Sequence, residues 1–195
     1  MPSPLNEVLS TSESDVAKAE HIVFLGVFNA SRFRKKIEAW LSEIDLSDTH
    51  LVIADNCSTD DSLTWLTSLC AALKSPATIT RNSKNYGGYG NLAVNMALFP
   101  SAKWVTTLHQ DDSYKVDHVQ NHRSLILEKQ HGLGMICSEA ESVLPNGSSV
   151  AYPRAHWLLD DEADAVTIFL ANLKNHTFPF SGASFARDVI DGFPI

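Results

Sequence analysis

The segment "HIVFLGVFN", residues 21–29, is apolar at nearly every position and as long as a single strand. Successive side chains of a strand point to opposite faces, so a run without alternation suits a strand covered on both sides, as in the interior of a parallel sheet. Directly after it, "SRFRKKIEAWLSEI" places Phe33, Ile37, Trp40, Leu41 and Ile44 at helical spacing, with Ser31 positioned to cap the first turn. A doubly buried strand feeding an amphipathic helix is the opening of a βαβ unit.

The same rhythm continues outward. "HLVIA" (50–54) is a second short apolar run, and "STDD" after it offers a capping box, Ser58 with Asp61, ahead of Leu63, Leu66, Cys70 and Leu73 on one helical face. "ATIT" reads as a third strand, "NYGGYGNLAVNMAL" as a glycine-rich loop entering a helix, "KWVTTL" as a fourth strand, "VDHVQNHRSLILEKQH" as a helix and "GMICSE" as a fifth strand. This alternation predicts an α/β fold with a mainly parallel sheet and helices on both faces. Beyond residue 140 the pattern loosens: "LPNGSS" suggests a hairpin around Asn-Gly, "DDEADAVTIFLANLKN" a helix with acids in its first turn, and "FPFSGASFARDVIDGFPI" a short strand, a turn and a helix ending at Gly192.

With 195 residues, 44% hydrophobic and 19% charged, the chain suits one globular domain, expected over residues 21–195 behind a flexible tail of residues 1–20. The formal charge of -8 and the lack of a Lys/Arg stripe argue against nucleic acid as a partner. Cys57, Cys70 and Cys137 fit neither a disulfide framework nor a metal spacing, and read as buried thiols in a reducing cytosol. No stretch has the length of a signal peptide's apolar core or of a transmembrane helix. A cytoplasmic location is expected, with peripheral contact at the inner face of a membrane left open.

In open parallel sheets ligands bind beyond the carboxyl ends of the strands, so the residues just after each strand carry the chemistry. These are Phe28, Asn29 and Ala30; "DNCSTDD"; "RNSKNYGGYGN"; and "HQDDSY". Asp55, at a strand end, could accept the ring N–H of a base or cap its own turn. The glycines of "NYGGYGN" allow close backbone approach to a ligand, with helix N–H groups behind them for phosphate, or serve as a plain connection; they match neither a dinucleotide fingerprint nor a P-loop. Asp111 and Asp112 repel each other unless a cation separates them, and a pair of carboxylates suits Mg²⁺ or Mn²⁺ shared with substrate phosphates; the alternative is a solvated acidic turn. His109 is a third ligand or a polar residue leaving the strand. His118 and His122, four residues apart, have a zinc-compatible spacing without a third ligand and read as a helical surface pair.

Taken in order, "VFNASRF", "VIADNCSTDDS", "RNSKNYGGYGN", "HQDD" and "FSGASFARDVIDGF" resemble the nucleotide-sugar-binding half of a family 2 glycosyltransferase of the Rossmann-like GT-A fold, over about residues 21–193. The Gln-Asp-Asp is nearest to rhamnosyltransferase-like members. The resemblance implies that Phe28 and Asn29 border the base pocket, that Asp55 pairs with a pyrimidine, that Arg81, Gly88 and Asn91 lie near the base or diphosphate, and that Asp111, joined by Asp112, binds the catalytic metal. It further implies a UDP- or dTDP-sugar donor, a saccharide or lipid-linked saccharide acceptor, and an inverting reaction. His109 departs from the aspartate common at the start of the family's D-x-D. The family's catalytic base would fall beyond Ile195, with the acceptor region, rather than at Asp188 or Asp191. Rival expectations are a non-catalytic or truncated nucleotide-sugar-binding module, a nucleotidyltransferase, disfavoured by the absence of a basic glycine-rich loop after the first strand, and a plain interaction domain.

Overall fold

The computed structural model describes residues 5–8, 18–129, 133–138, 140–151 and 181–192. Four parallel strands form its centre: β2 (His21–Val27), β3 (His50–Asp55), β4 (Ala77–Asn82) and β5 (Trp104–His109). They connect through α1 (Arg34–Glu43, entered by a 3-10 turn at Ser31–Phe33), α2 (Ser62–Ala72) and α3 (Gly87–Met96), in the sheet order β4-β3-β2-β5. The doubly wound α/β arrangement expected from the apolar runs is therefore present.

Alternation within β2 sorts the core into two layers. Val23, Leu25 and Val27 pack with Ile37, Trp40 and Leu41 of α1 and Trp65 and Leu66 of α2. Ile22 and Phe24 face the other way, toward Leu92 and Met96 of α3, Phe99 and Phe185. Each such buried side chain contributes about 1.5–3 kcal/mol, and covering both faces is what makes the central strands continuously apolar.

The edges depart from the sequence reading. Within the segment read as a tail, β1 (Leu5–Val8) pairs antiparallel with β4. "GMICSE" contributes only β6 (Met135–Ile136), which does not meet β5: β9 (Ser184–Ala186) lies between them, antiparallel to both. The hairpin expected around Asn146-Gly147 is present as β7 (Glu141–Val143) and β8 (Ser149–Ala151), with Gly147 at φ 82°. Two further helices are α4 (His118–Lys129) and α5 (Arg187–Asp191), the latter stopping at Gly192 as expected. The helix read at 160–175 lies outside the described residues. Of the three cysteines only Cys70 is buried; Cys57 is partly exposed and Cys137 exposed. Among the described residues, no helix is long and apolar enough to cross a membrane.

Candidate functional site

Strand register brings the chain's polar strand ends to one rim. Gly26 lies opposite His109, Val27 opposite Asp55, and Asp55 opposite Arg81, so the segments after β2, β3, β4 and β5 open side by side. The glycine cluster joins them: the Asn56 side-chain amide, just past β3, donates to the Gly87 carbonyl at 3.2 Å.

The loops after β2 and β3 are laced together. After β2 the chain turns through Asn29, held in the left-handed region at φ 48°, and leaves amides that no strand satisfies. The Asn29 N–H donates to Ser58 Oγ at 2.9 Å, the Ala30 N–H to Ser62 Oγ at 2.7 Å and the Ser31 N–H to Asp60 Oδ2 at 3.1 Å, while Asn29 Oδ1 accepts the Thr59 N–H at 2.9 Å. This changes two expectations. Ser31 caps no helix; its hydroxyl bonds to Asp61. Nor do Ser58 and Asp61 form a capping box on α2, because the loop after β2 occupies them.

Asp55 is wholly buried, and its carboxylate accepts the Ser58 N–H at 3.1 and 3.3 Å. Arg81 reaches it at 3.8 Å and donates to the Ser58 carbonyl at 3.0 Å. The turn-capping role is thus present, and the Arg81 side chain beside the buried carboxylate is 30% exposed. Phe28 is 39% exposed at the rim.

α3 begins inside the glycine cluster, so Gly87, Gly88 and Gly90 form its first turn rather than a loop preceding it. Gly88 faces open space. Asn91, expected near the base or diphosphate, is buried, donating to the Ala54 carbonyl at 3.0 Å and accepting from Asn82 at 2.8 Å and Asn95 at 3.0 Å. Asn82 also donates to Asn56 at 2.9 Å, and Asn56 accepts the Tyr86 N–H at 3.0 Å. This amide network ties the start of α3 to β3 and β4, and it sets the helix N-terminus rather than presenting Asn91 at the rim.

At the end of β5, ligand atoms of His109, Asp111 and Asp112 lie within 4.8 Å of one another, and all three residues are exposed. Two carboxylates and an imidazole converging from one short loop fit a divalent ion such as Mg²⁺ or Mn²⁺. The loop is fixed from three sides by Gln110, Lys36 and Tyr114, through contacts the sequence did not foretell. Gln110 accepts the Phe28 N–H at 2.8 Å and donates to the Phe28 carbonyl at 3.1 Å. Lys36 Nζ donates to the Asp111 carbonyl at 2.7 Å. The Tyr114 hydroxyl accepts the His109 N–H at 2.7 Å and meets Ser181 Oγ at 2.5 Å. Burial pushes the Tyr114 phenol well above its usual range, so it stays protonated.

His118 and His122 are not a surface pair. Their rings, 4.7 Å apart, turn toward β9: His118 bonds the Gly182 carbonyl at 2.9 Å, and His122 bonds Ser184 Oγ at 2.8 Å and Ser138 Oγ at 2.6 Å. Asp191 pairs with Arg187 at 2.8 Å.

Comparison with known families matches residues 23–184 to "Glycosyl transferase family 2". No curated protein matches the sequence. Glucosyl-3-phosphoglycerate synthase from Mycobacterium tuberculosis, in a structure with Mn²⁺, UDP and phosphoglyceric acid, is similar at TM-score 0.53 and 18% identity, over 90% of this chain and 58% of that one. The mannosyltransferase PcManGT from Pyrobaculum calidifontis, with GDP-Man and Mn²⁺, is similar at 0.52 and 16%, over 63% and 36%. Staphylococcus aureus TarS 1–349 with UDP is similar at 0.50 and 19%, over 66% and 43%. The chain therefore spans 58% or less of these proteins, and at such identities the likeness speaks for the Rossmann-like GT-A fold. The family match covers most of the sequence, and the chain belongs to glycosyl transferase family 2.

Proposed function

We propose that this chain binds a nucleoside diphosphate sugar, of UDP or dTDP type, along the rim formed by Phe28, Asn29, Asp55, Arg81 and Gly88, and transfers the sugar to an acceptor hydroxyl with inversion. The observation that carries this reading is the convergence of the Asp55–Arg81 pair and the His109/Asp111/Asp112 group on one edge of the sheet in a family 2 chain. Phe28 offers an exposed aromatic face for a base. Asp55, held by the Ser58 N–H, and Arg81 beside it offer an acceptor and a cation to the base and its phosphates. The first turn of α3 begins at the rim, where Gly88 faces open space, and the positive end of the helix dipole there favours phosphate. Asp111 and Asp112 would hold Mg²⁺ or Mn²⁺, which supplies Lewis-acid stabilisation of the charge developing on the departing diphosphate.

In the reaction, the acceptor oxygen forms its bond to the anomeric carbon while the bond to the diphosphate breaks, and the nucleoside diphosphate leaves with the electron pair. A carboxylate base takes the acceptor proton, an assistance worth about 10²–10⁴-fold. Neither Asp188 nor Asp191 is offered for that part; Asp191 is already held by Arg187. Within this reading the acceptor is a saccharide or lipid-linked saccharide. The second reading, a nucleotide-sugar-binding module without transfer, predicts binding with no turnover.

Titrating UDP and dTDP with and without Mn²⁺ tests the site: Asp111→Ala should remove the metal-dependent part of the affinity, and an unchanged metal dependence would sink the proposal. Slow release of free nucleotide from UDP- or dTDP-sugars with metal separates transferase from binding module.

A further inference from the structure

We infer that Gln110 is a positioning residue for the nucleobase: its side-chain amide holds the backbone of Phe28 and so sets the aromatic face that a base meets at the rim. The inference rests on the reading of Phe28 as part of a nucleotide site, and adds to it a residue from another strand end that acts through Phe28.

The parallel ladder between β2 and β5 ends where Gly26 lies opposite His109. On the other side of β2, Val27 is still paired with Asp55, and its carbonyl accepts the Asn56 N–H at 2.8 Å. Phe28 is therefore the first residue leaving β2 that no strand pairs. Gln110 takes over at this point: its Oε1 accepts the Phe28 N–H at 2.8 Å, and its Nε2 donates to the Phe28 carbonyl at 3.1 Å. Both backbone polar groups of Phe28 go to one side chain 82 positions away, and no other hydrogen bond holds them among the described residues. Asn29, the next residue, is tied in the opposite direction, its N–H on Ser58 Oγ and its Oδ1 on the Thr59 N–H. The exit of β2 is thus suspended between the loops after β5 and β3, and Gln110 supplies the β5 side.

A carboxamide offers one acceptor and one donor in a plane, the pair that a peptide group offers a neighbouring strand. Glutamate would turn only acceptors toward the Phe28 carbonyl, asparagine is one methylene short, and methionine has the length with neither group. Hydrogen bonds at an exposed position contribute little to net stability, because water replaces them when they are lost. Fixing an exposed aromatic residue before a ligand arrives has a different consequence: it removes an ordering cost from binding. The contribution of Gln110 accordingly belongs to affinity for a base rather than to folding.

Calorimetry on the whole chain with Mn²⁺ tests this by comparing UDP with inorganic pyrophosphate, which presents phosphates and no base. The proteins are wild type, Gln110→Met, Gln110→Asn, Phe28→Leu and the Phe28→Leu/Gln110→Met double variant, none of which changes the net charge met by these anions. Gln110→Met and Gln110→Asn should each weaken UDP about tenfold while pyrophosphate stays within about twofold of wild type. In the double variant Gln110→Met should add little to the loss from Phe28→Leu, because Gln110 acts through that ring. An equal loss for pyrophosphate, or additive losses in the double variant, would overturn the inference and leave the nucleotide site standing. If wild type binds UDP but Phe28→Leu is harmless, the place of Phe28 in the site falls and the inference with it; if wild type binds no UDP, the proposed nucleotide site itself falls. Amide hydrogen exchange gives a check that needs no variant: the Phe28 N–H should be protected in the folded wild type, and exchange at the rate of a free amide would show that Gln110 does not hold it.

Discussion

Asp55 shows how far a single residue can be read. Its place at the end of an apolar run marked it as a fixed acceptor, and two roles were open to it: base recognition, or capping of its own turn. The structure has the Ser58 N–H on the carboxylate and Arg81 at 3.8 Å, so capping is present. A carboxylate has about four lone-pair positions, and capping leaves some of them for a ligand. Asp55→Asn separates the roles. The amide oxygen can still accept the Ser58 N–H, but the negative charge beside Arg81 is gone. If Asp55 receives a base N–H, UDP affinity should fall about tenfold, in line with loss of a charged hydrogen bond of about 1.5–3 kcal/mol; if it only caps the turn, calorimetry will find wild-type affinity. The strand-end residues were legible because a doubly wound sheet opens its ligand crevice there. Gln110 and Lys36 were not, since their partners lie 82 and 75 positions away and a lone polar side chain carries no sign of a distant backbone partner. The packing of Asn91 was hidden for a related reason. The same amide suits a phosphate or a buried network, and only the Ala54 carbonyl and Asn82 beside it decide.

Among the elements, the long ones were legible and the short ones were not. β2 through β5 carry continuous apolar runs whose burial on both faces leaves no other reading. β9 has three residues, and nothing in three residues fixes direction or neighbours; its insertion between β5 and β6, antiparallel to both, is set by long-range contacts. That insertion also explains the histidines of α4, which have an inward face because β9 lies beneath them. Tyr114 joins this region to the metal loop, its hydroxyl bridging the His109 N–H and Ser181 while its ring packs edge-on against Trp40 at 5.1 Å. Gly182, at φ 77°, lets the turn into β9 pass this close, since a Cβ there would meet His118 at 3.1 Å and the Tyr114 ring at 3.3 Å. Tyr114→Phe keeps the ring and removes the bridge. Urea unfolding should show a loss of about 1–2 kcal/mol, consistent with two polar groups losing a partner. Mn²⁺ affinity in the presence of UDP should also fall severalfold, because the loop loses one of its three anchors. Unchanged Mn²⁺ affinity with the same loss of stability would mean that Tyr114 supports the fold without shaping the site.

For the molecule as a whole, a hydrogen-bonded chain links five segments: Ser138, His122 of α4, Ser184 of β9, Thr106 of β5 and His21 of β2, through contacts of 2.6, 2.8, 2.6 and 2.8 Å. His21 and His122 are almost wholly buried, and burial pushes both from 6.5 down to about 4. The charge of Arg123 adds to the effect on His21, as does that of His122 itself, and His118 adds to the effect on His122. The folded chain therefore holds these rings neutral at pH values where the unfolded chain protonates them. Between pH 6.5 and about 4 the unfolded state binds more protons, so stability must rise with pH across that window, be fully present above 6.5 and be lost as pH falls toward 4. One isolated histidine with this displacement is worth on the order of 3 kcal/mol, and two neighbours that repel when charged do not simply add. Urea unfolding at pH 7.5, 6.5, 5.5 and 4.5 should give a free energy that is flat over the first step and declines over the others. His122→Gln, which can still hydrogen-bond to a serine but cannot titrate, should lower stability at pH 7.5 and flatten the decline below 6.5. A variant that keeps the wild-type slope would place the acid sensitivity elsewhere, and the seating of β9 would then not depend on keeping these rings uncharged.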